Sequence, residues 1–191
     1  EKGDYTIAAH AMEHIKKSML KLEALVGDVL NLTERKLTDA PTEDVDVSEM
    51  LDEIMSKISN LPTAKGIDFQ IDLDFSQTLN VKRVYLQQTM ENFISNAIKY
   101  SDPDKDNSFI KITGHLKRGI CTLRVTDNGI GIPEMYREQL FGMFKRFHPK
   151  HSFGSGLGLY LVKQNALALG GNVNYEPTDD GSCFSVSFPY N

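Results

Sequence analysis

Cysteine is scarce. Only Cys121 and Cys183 occur among 191 residues, each in an alternating strand-like run and without a Cys-x-x-Cys spacing. That usage points to a reducing, cytoplasmic setting rather than to a disulfide scaffold or a zinc centre. No run approaches the ~18 apolar residues that a spanning helix needs, and no basic-then-apolar signal opens the chain. The expectation is a chain without a membrane segment, whose parent protein can still be membrane-anchored. Basic charge is not in excess: 21 Lys and Arg stand against 26 Asp and Glu, a formal net charge of −5. That excludes a nucleic-acid binder held by phosphate neutralisation. There is no internal repeat and no low-complexity tract. With 40% hydrophobic and 25% charged residues, the composition is that of an ordinary folded domain rather than a disordered chain.

The first segment carries a clean heptad seam. Tyr5, Ala8, Met12, Ile15, Met19, Leu22, Val26 and Val29 step by alternating threes and fours, the a/d pattern of a helical bundle. It fades at Thr33–Lys36, and a polar stretch with the helix-hostile Pro41 follows. The predicted division is a partial bundle helix over 1–38, a linker over 39–46 and a folded domain over 47–191. Asp46 with Glu49 reads as a capping box for a helix carrying Val47, Leu51, Ile54 and Ile58. Ile67, Phe69, Ile71 and Leu73 alternate as a strand. A helix over about 82–100 turns Leu86, Met90, Phe93 and Ala97 inward. Strands around 110–112 and 121–125, a helix over about 157–169 and a closing hairpin across Asp179-Asp-Gly181 complete the chain. The order predicts an α+β fold: a two-layer sandwich with a mostly antiparallel sheet and a long N-terminal helix.

Four clusters carry chemistry. On the long helix, Asn92, Asn96 and Lys99 share one face, so two carboxamide oxygens and an ammonium can set a hard cation beside phosphate oxygens. The same spacing also serves a solvated polar face. Asp127-Asn-Gly129-Ile-Gly131-Ile132-Pro133 follows a strand; its glycines permit close ligand approach, and the carboxylate can accept from an exocyclic amine such as adenine's. A glycine turn with Asp127 as its cap reads equally from these residues. In Leu140-Phe141-Gly-Met-Phe144-Lys-Arg146-Phe147, Phe141 and Phe144 are expected to be hydrophobic anchors. Arg146 is either a phosphate ligand or a solvated base. Gly154-Ser155-Gly156-Leu157-Gly158 opens a helix and offers uncovered N–H groups to an anion. No Walker lysine and no kinase catalytic loop accompanies it.

In this order the clusters resemble the asparagine box, first glycine box, phenylalanine box and second glycine box of the GHKL (Bergerat) ATP-binding fold. That superfamily includes sensor histidine kinases, DNA gyrase B, the ninety-kilodalton heat-shock chaperone and MutL. The resemblance spans about Val47 to Phe188. Leu25-Val-Gly-Asp28-Val-Leu-Asn-Leu-Thr33 is similar to the second helix of a histidine-kinase dimerisation domain, and Phe144-Lys-Arg-Phe-His148 to that family's phenylalanine box. Within the superfamily the resemblance therefore selects sensor histidine kinases. It implies Mg²⁺ and ATP as cofactors, with Asn96 and Asn92 at the metal and Lys99 at phosphate. Tyr100 would lie near the base, and Asp127 at the adenine amine with Gly129, Gly131 and Ile132 beside it. Gly154, Ser155, Gly156, Leu157 and Gly158 would shape the lid hinge and phosphate contact, and residues 147–153 the mobile lid. Gyrase-like relatives carry their catalytic Glu where Asn92 stands, which favours phosphotransfer over water activation.

The implied partners are a second copy through the N-terminal helix and a response regulator or receiver domain. One departure is large. The family's phosphoacceptor His precedes an acidic residue on the first dimerisation helix, whereas His10 precedes Ala11 and His14 precedes Ile15. His115, His148 and His151 are likewise outside such a setting. The expectation is a chain that begins after the acceptor helix and transfers phosphate to a histidine it does not contain. The alternatives are a silent nucleotide-binding signalling module, or a GHKL ATPase or serine kinase.

Overall fold

In the computed structural model the described residues are 11–13, 15–16, 18–19, 22, 26–27, 40–58, 61–145, 147 and 155–190. Those before residue 28 are helical. The seam residues among them, Met12, Ile15, Met19, Leu22 and Val26, all present their side chains to solvent. Tyr5, Ala8 and Val29 lie outside the described residues.

Strand β1 (Glu43–Val45) leads into helix α1 (Val47–Ile58). Asp46 caps that helix: its Oδ1 accepts from the amides of Ser48 at 2.9 Å and Glu49 at 3.2 Å, satisfying two otherwise orphan donors. Strands β2 (Asp68–Leu73) and β3 (Leu79–Val81) precede the long helix α2 (Arg83–Lys99). Then come β4 (Phe109–Lys117), β5 (Ile120–Asp127), a 3₁₀ turn over Glu134–Gln139, helix α3 (Gly158–Ala168), β6 (Asn172–Pro177) and β7 (Ser182–Pro189). Five strands form one sheet in the order β2-β4-β5-β7-β6. Only the β2–β4 pair is parallel; the other three pairs are antiparallel.

The helices cover one face of this sheet. Leu86, Met90, Phe93 and Ala97 of α2 are buried as their spacing predicted, and Ile110, Ile112, Leu123, Val125, Val186 and Phe188 meet them from the strands. Phe93 stacks on Phe184 of β7 at 5.4 Å, and Tyr175 of β6 tilts against Phe184 at 5.1 Å. These rings join helix to sheet at the hairpin end, and such a pair contributes about 0.5–1.5 kcal/mol beyond its buried area.

The structure departs from the sequence expectation in three places. Glu43–Val45, inside the stretch read as linker, form β1 and pair with β3 as a separate two-stranded ribbon, with Val45 buried in the core. Strand β3 itself was not expected. Phe144 is no hydrophobic anchor: its side chain is exposed and its φ is +58°, whereas Phe141 does pack against the core.

Candidate nucleotide site

Period-two alternation along β5 builds the first part of the site. Cys121, Leu123, Val125 and Asp127 all point to the helix-covered face and are all buried. The last inward position, where the apolar layer ends, is therefore filled by a carboxylate. Its Oδ1 accepts the Gly129 amide at 2.9 Å. Burial pushes the Asp127 carboxyl up to about 6, against the pull of the Gly129 and Ser182 amides and of the Lys105 ammonium. A buried acceptor held charged near neutral pH is suited to an exocyclic amine. The other buried acid on that strand, the Cys121 thiol, is pushed up to about 12 by burial and is chemically inert.

The turn after β5 is locked to its surroundings. Ile130 donates its amide to the Tyr100 carbonyl at 3.0 Å, where α2 ends. A Cβ on Gly129 would come within 2.2 Å of that same carbonyl oxygen, so no other residue fits there. Gly181 packs as tightly on the opposite side, where its Cβ would lie 2.2 Å from the Asp127 carbonyl and 2.7 Å from Asn128 Cα. Asn128 fastens the corner further: Oδ1 accepts from Phe109 N and Nδ2 donates to the Asn107 carbonyl, each at 2.8 Å.

The second part is the contact of α2 with the start of α3. A Cβ on Gly158 would meet Asn92 Oδ1 at 2.7 Å; only glycine lets the carboxamide oxygen lie against the first turn of that helix. Asn92 Nδ2 is engaged by the Gln88 carbonyl at 2.9 Å, which turns the oxygen outward. Asn96 is half-buried one turn on, and neither backbone nor side chain hydrogen-bonds its carboxamide among the described residues. Gly156, at φ +75°, rests on the Phe144–Lys145 backbone, Ser155 Oγ accepts the Leu157 amide at 3.1 Å, and Leu157 is fully buried.

The remaining expected residues fall as follows. Lys99 extends its Nζ over the Tyr100 ring, 5.0 Å from the centroid, and lines a cleft of about 460 Å³ with Ile58, Leu61, Ser95 and Ile98. Gly129, Gly131 and Ile132 line a different cleft of about 410 Å³, shared with Lys105, Arg137 and Tyr175. Arg146 and Gly154 lie outside the described residues, as do four of the five histidines and most of the expected lid. His115 is described; it stands in β4 with Nδ1 2.8 Å from Asp74 Oδ2. Three contributors carried no motif and were missed: Ser182, whose amide supports the Asp127 carboxylate, Gly181 and Lys105. The Gly-Ser step before the last strand was the only local signal for the first two.

The residues fit a nucleotide with its metal: a buried amine acceptor, a side-chain-free helix start and two carboxamide oxygens on one helix. Among the described residues no cluster of three or more His, Cys, Asp or Glu offers an alternative metal centre. Comparison with known proteins bears on the same region. Residues 81–191 match the family described as histidine kinase-, DNA gyrase B- and HSP90-like ATPase. The chain belongs to that family.

Within it, this is a histidine-kinase-type catalytic ATP-binding domain. It is 31% identical over 169 residues to cyanobacterial phytochrome B of Nostoc sp., covering 86% of this chain and 22% of that protein. It is 30% identical over 183 residues to the signal transduction histidine-protein kinase ArlS of Staphylococcus haemolyticus, covering 92% and 39% respectively. The chain thus spans well under half the length of these relatives. The Acinetobacter baumannii histidine kinase AdeS shares the fold, with a TM-score of 0.75 at 23% identity over 94% of this chain and 84% of that one. Among the described residues no helix is long and apolar enough to cross a membrane.

Proposed function

We propose that this chain binds Mg-ATP and delivers the γ-phosphoryl group to a histidine of a dimerisation domain in two-component signalling. The observation that carries the reading is the Asp127 carboxylate, buried at the inner end of β5 and locked beside the end of α2. Asp127 accepts a hydrogen bond from the adenine amine, while Gly129, Gly131 and Ile132 frame the base and Tyr100 flanks it. Asn92 and Asn96 direct their carboxamide oxygens to Mg²⁺, which when bound offsets the charge of the phosphate oxygens. The amides at Gly156 and Gly158 receive phosphate at the start of α3, joined by the Leu157 amide once it leaves Ser155 Oγ, and Lys99 swings from the Tyr100 ring to the same oxygens. Arg146, Gly154 and Ser155 belong to this phosphate side. The chain's contribution is positioning and charge complementarity.

Residues 1–38 form the second dimerisation helix in this reading, pairing with another copy, and 47–191 the catalytic unit. A response regulator or receiver domain receives the phosphate in turn, in the cytoplasm. Support comes from the matched family, from the named kinases among its relatives and from the exposed seam at Met12–Val26. The test supplies labelled ATP and Mg²⁺ to this chain together with a separate dimerisation domain carrying an acceptor histidine. Acid-labile label on that histidine, lost in Asn96→Ala, is the expected result. ATP binding without any transfer leaves a silent nucleotide module, and label on His10 or His14 overturns the external-acceptor assignment.

A further inference from the structure

Lys105 stands on the 101–108 loop between α2 and β4, outside every motif. Its Nζ donates to two backbone carbonyls, those of Asn128 and Asp180, both at 2.8 Å, and lies 3.8 Å from Asp180 Oδ1. The partners are 23 and 75 residues away in sequence, so a single ammonium joins three segments. These are the loop itself, the corner after β5 and the turn between β6 and β7. The junction is also held by uncharged contacts: Gly181 packs against the Asp127–Asn128 peptide, Asn128 hydrogen-bonds Asn107 and Phe109 through its side chain, and Asp127 pairs with Ser182 across β5 and β7. Lys105 brings the charge. Hydrogen bonds from an ionised donor are about twice as strong as neutral ones, and here they fix the two segments that flank Asp127.

The geometry points to Lys105 as a positioning residue for nucleotide recognition, a latch that holds the Asp127 corner against the 178–181 turn. The inference rests on the nucleotide reading above. The segments around Asp127 carry other charges: Asp179 and Asp180 in the turn, Asp102, Asp104 and Asp106 on the loop, and Lys99 at the end of α2. Of all of them, Lys105 is the charge that draws the carboxyl down against burial, beside the amides of Gly129 and Ser182. Without the ammonium the desolvation cost is less opposed, so the carboxyl titrates higher and a smaller fraction is ionised at neutral pH. A latch of this kind acts through Asp127 and touches no part of the reacting phosphate.

The test uses the full chain as wild type, Lys105→Met and Lys105→Arg. Carbon NMR follows the Asp127 carboxyl titration without nucleotide, and calorimetry measures ADP affinity between about pH 5.5 and about pH 8.5. In Lys105→Met the carboxyl midpoint should rise by about half a pH unit or more. ADP affinity near pH 7 should fall roughly 3- to 10-fold, with much of that loss recovered at the alkaline end. Lys105→Arg should restore both. An unmoved midpoint overturns the latch, whether affinity is unchanged or falls equally at every pH, the latter marking a merely structural lysine. If Lys105→Met does not fold, Lys105→Gln, which keeps a donor without the charge, is read by the same two measurements. A wild-type chain that binds no ADP at any pH refutes the nucleotide reading, while the carboxyl midpoint still decides the latch.

Discussion

Replacing Asp127 by Asn should make the protein more stable and less able to hold ATP. The carboxylate is buried, and its rise from 3.8 to about 6 means that the folded state disfavours the charged form by about 3 kcal/mol, at about 1.4 kcal/mol per tenfold change in proton affinity. An amide is isosteric and carries no charge to desolvate; its one oxygen keeps an acceptor for the Gly129 amide, and the weakened support from the Ser182 amide makes the gain an upper bound. Asp127→Asn should therefore stabilise the nucleotide-free protein by up to about 3 kcal/mol above pH 7, a melting rise of roughly 6–12 °C for a chain of this size. The sign follows from linkage. Between pH 3.8 and about 6 the folded form binds more protons at Asp127 than the unfolded form, so this group's contribution to stability is present below that window and is lost as pH rises through it. The advantage of Asn over Asp should accordingly be small near pH 4, grow to about pH 6 and then stay level. Urea denaturation at a series of pH values reads this directly. ATP affinity should fall roughly 10- to 100-fold with the loss of a charged acceptor. A pH-independent stability difference, or an Asn variant weaker than wild type at pH 8, would refute the burial argument. Unchanged ATP affinity would remove Asp127 from the adenine site.

Asn96→Ala should leave the melting temperature nearly unchanged, within about 0.5 kcal/mol, because no hydrogen bond to its carboxamide is lost; Mg²⁺-dependent enhancement of ATP binding in calorimetry should vanish, and its persistence would clear Asn96 of a metal role. Gly181→Ala drives a methyl against the Asp127 carbonyl and should cost about 1–3 kcal/mol together with nucleotide affinity; a neutral result in denaturation would show that this corner can open freely. Met19→Glu changes a side chain that is 67% exposed on the N-terminal seam. It should weaken self-association at least about 10-fold in sedimentation, through buried charge in the paired seam, without altering ATP affinity; undiminished association would place the dimer contact elsewhere.

Strong periodicity was legible where it ran long enough. Helix α2 was expected over 82–100 and runs Arg83–Lys99, because eight buried positions repeat at helical spacing. For strands β4 and β5 the alternation marks the middle and not the ends: Lys117, Ile120 and Thr126 face solvent or half-face it, so apolar alternation stops before the ladder does. β1 and β3 are three residues each, too short for any period to register, and each exists only because the other pairs with it. Phe144 misled because aromatic character predicts burial, whereas a residue at φ +58° is placed by its turn rather than by its side chain. In the candidate site, the tight glycine packing and the inward position of Asp127 are legible locally, since close approach and strand alternation are properties of neighbouring residues. Lys105, Gly181 and Ser182 could not. Their partners lie across the fold, and a lysine in a polar loop looks the same in sequence whether it is solvated or holds two carbonyls.

The β4–β5 hairpin gives the sheet two unlike ends. Its turn, Arg118-Gly119, adopts φ +53° and +76° and sits at the opposite end of β5 from Asp127, about 27 Å from Gly119 at roughly 3.4 Å per residue. Exposed turns of this sort tolerate insertion, so this is the address at which the domain can carry foreign cargo: a fluorophore, an affinity tag or a light-responsive insert. A rigid eight-residue strand then serves as the lever between cargo and pocket, and an insert that strains the turn would transmit its pull along β5 to the carboxylate at the other end.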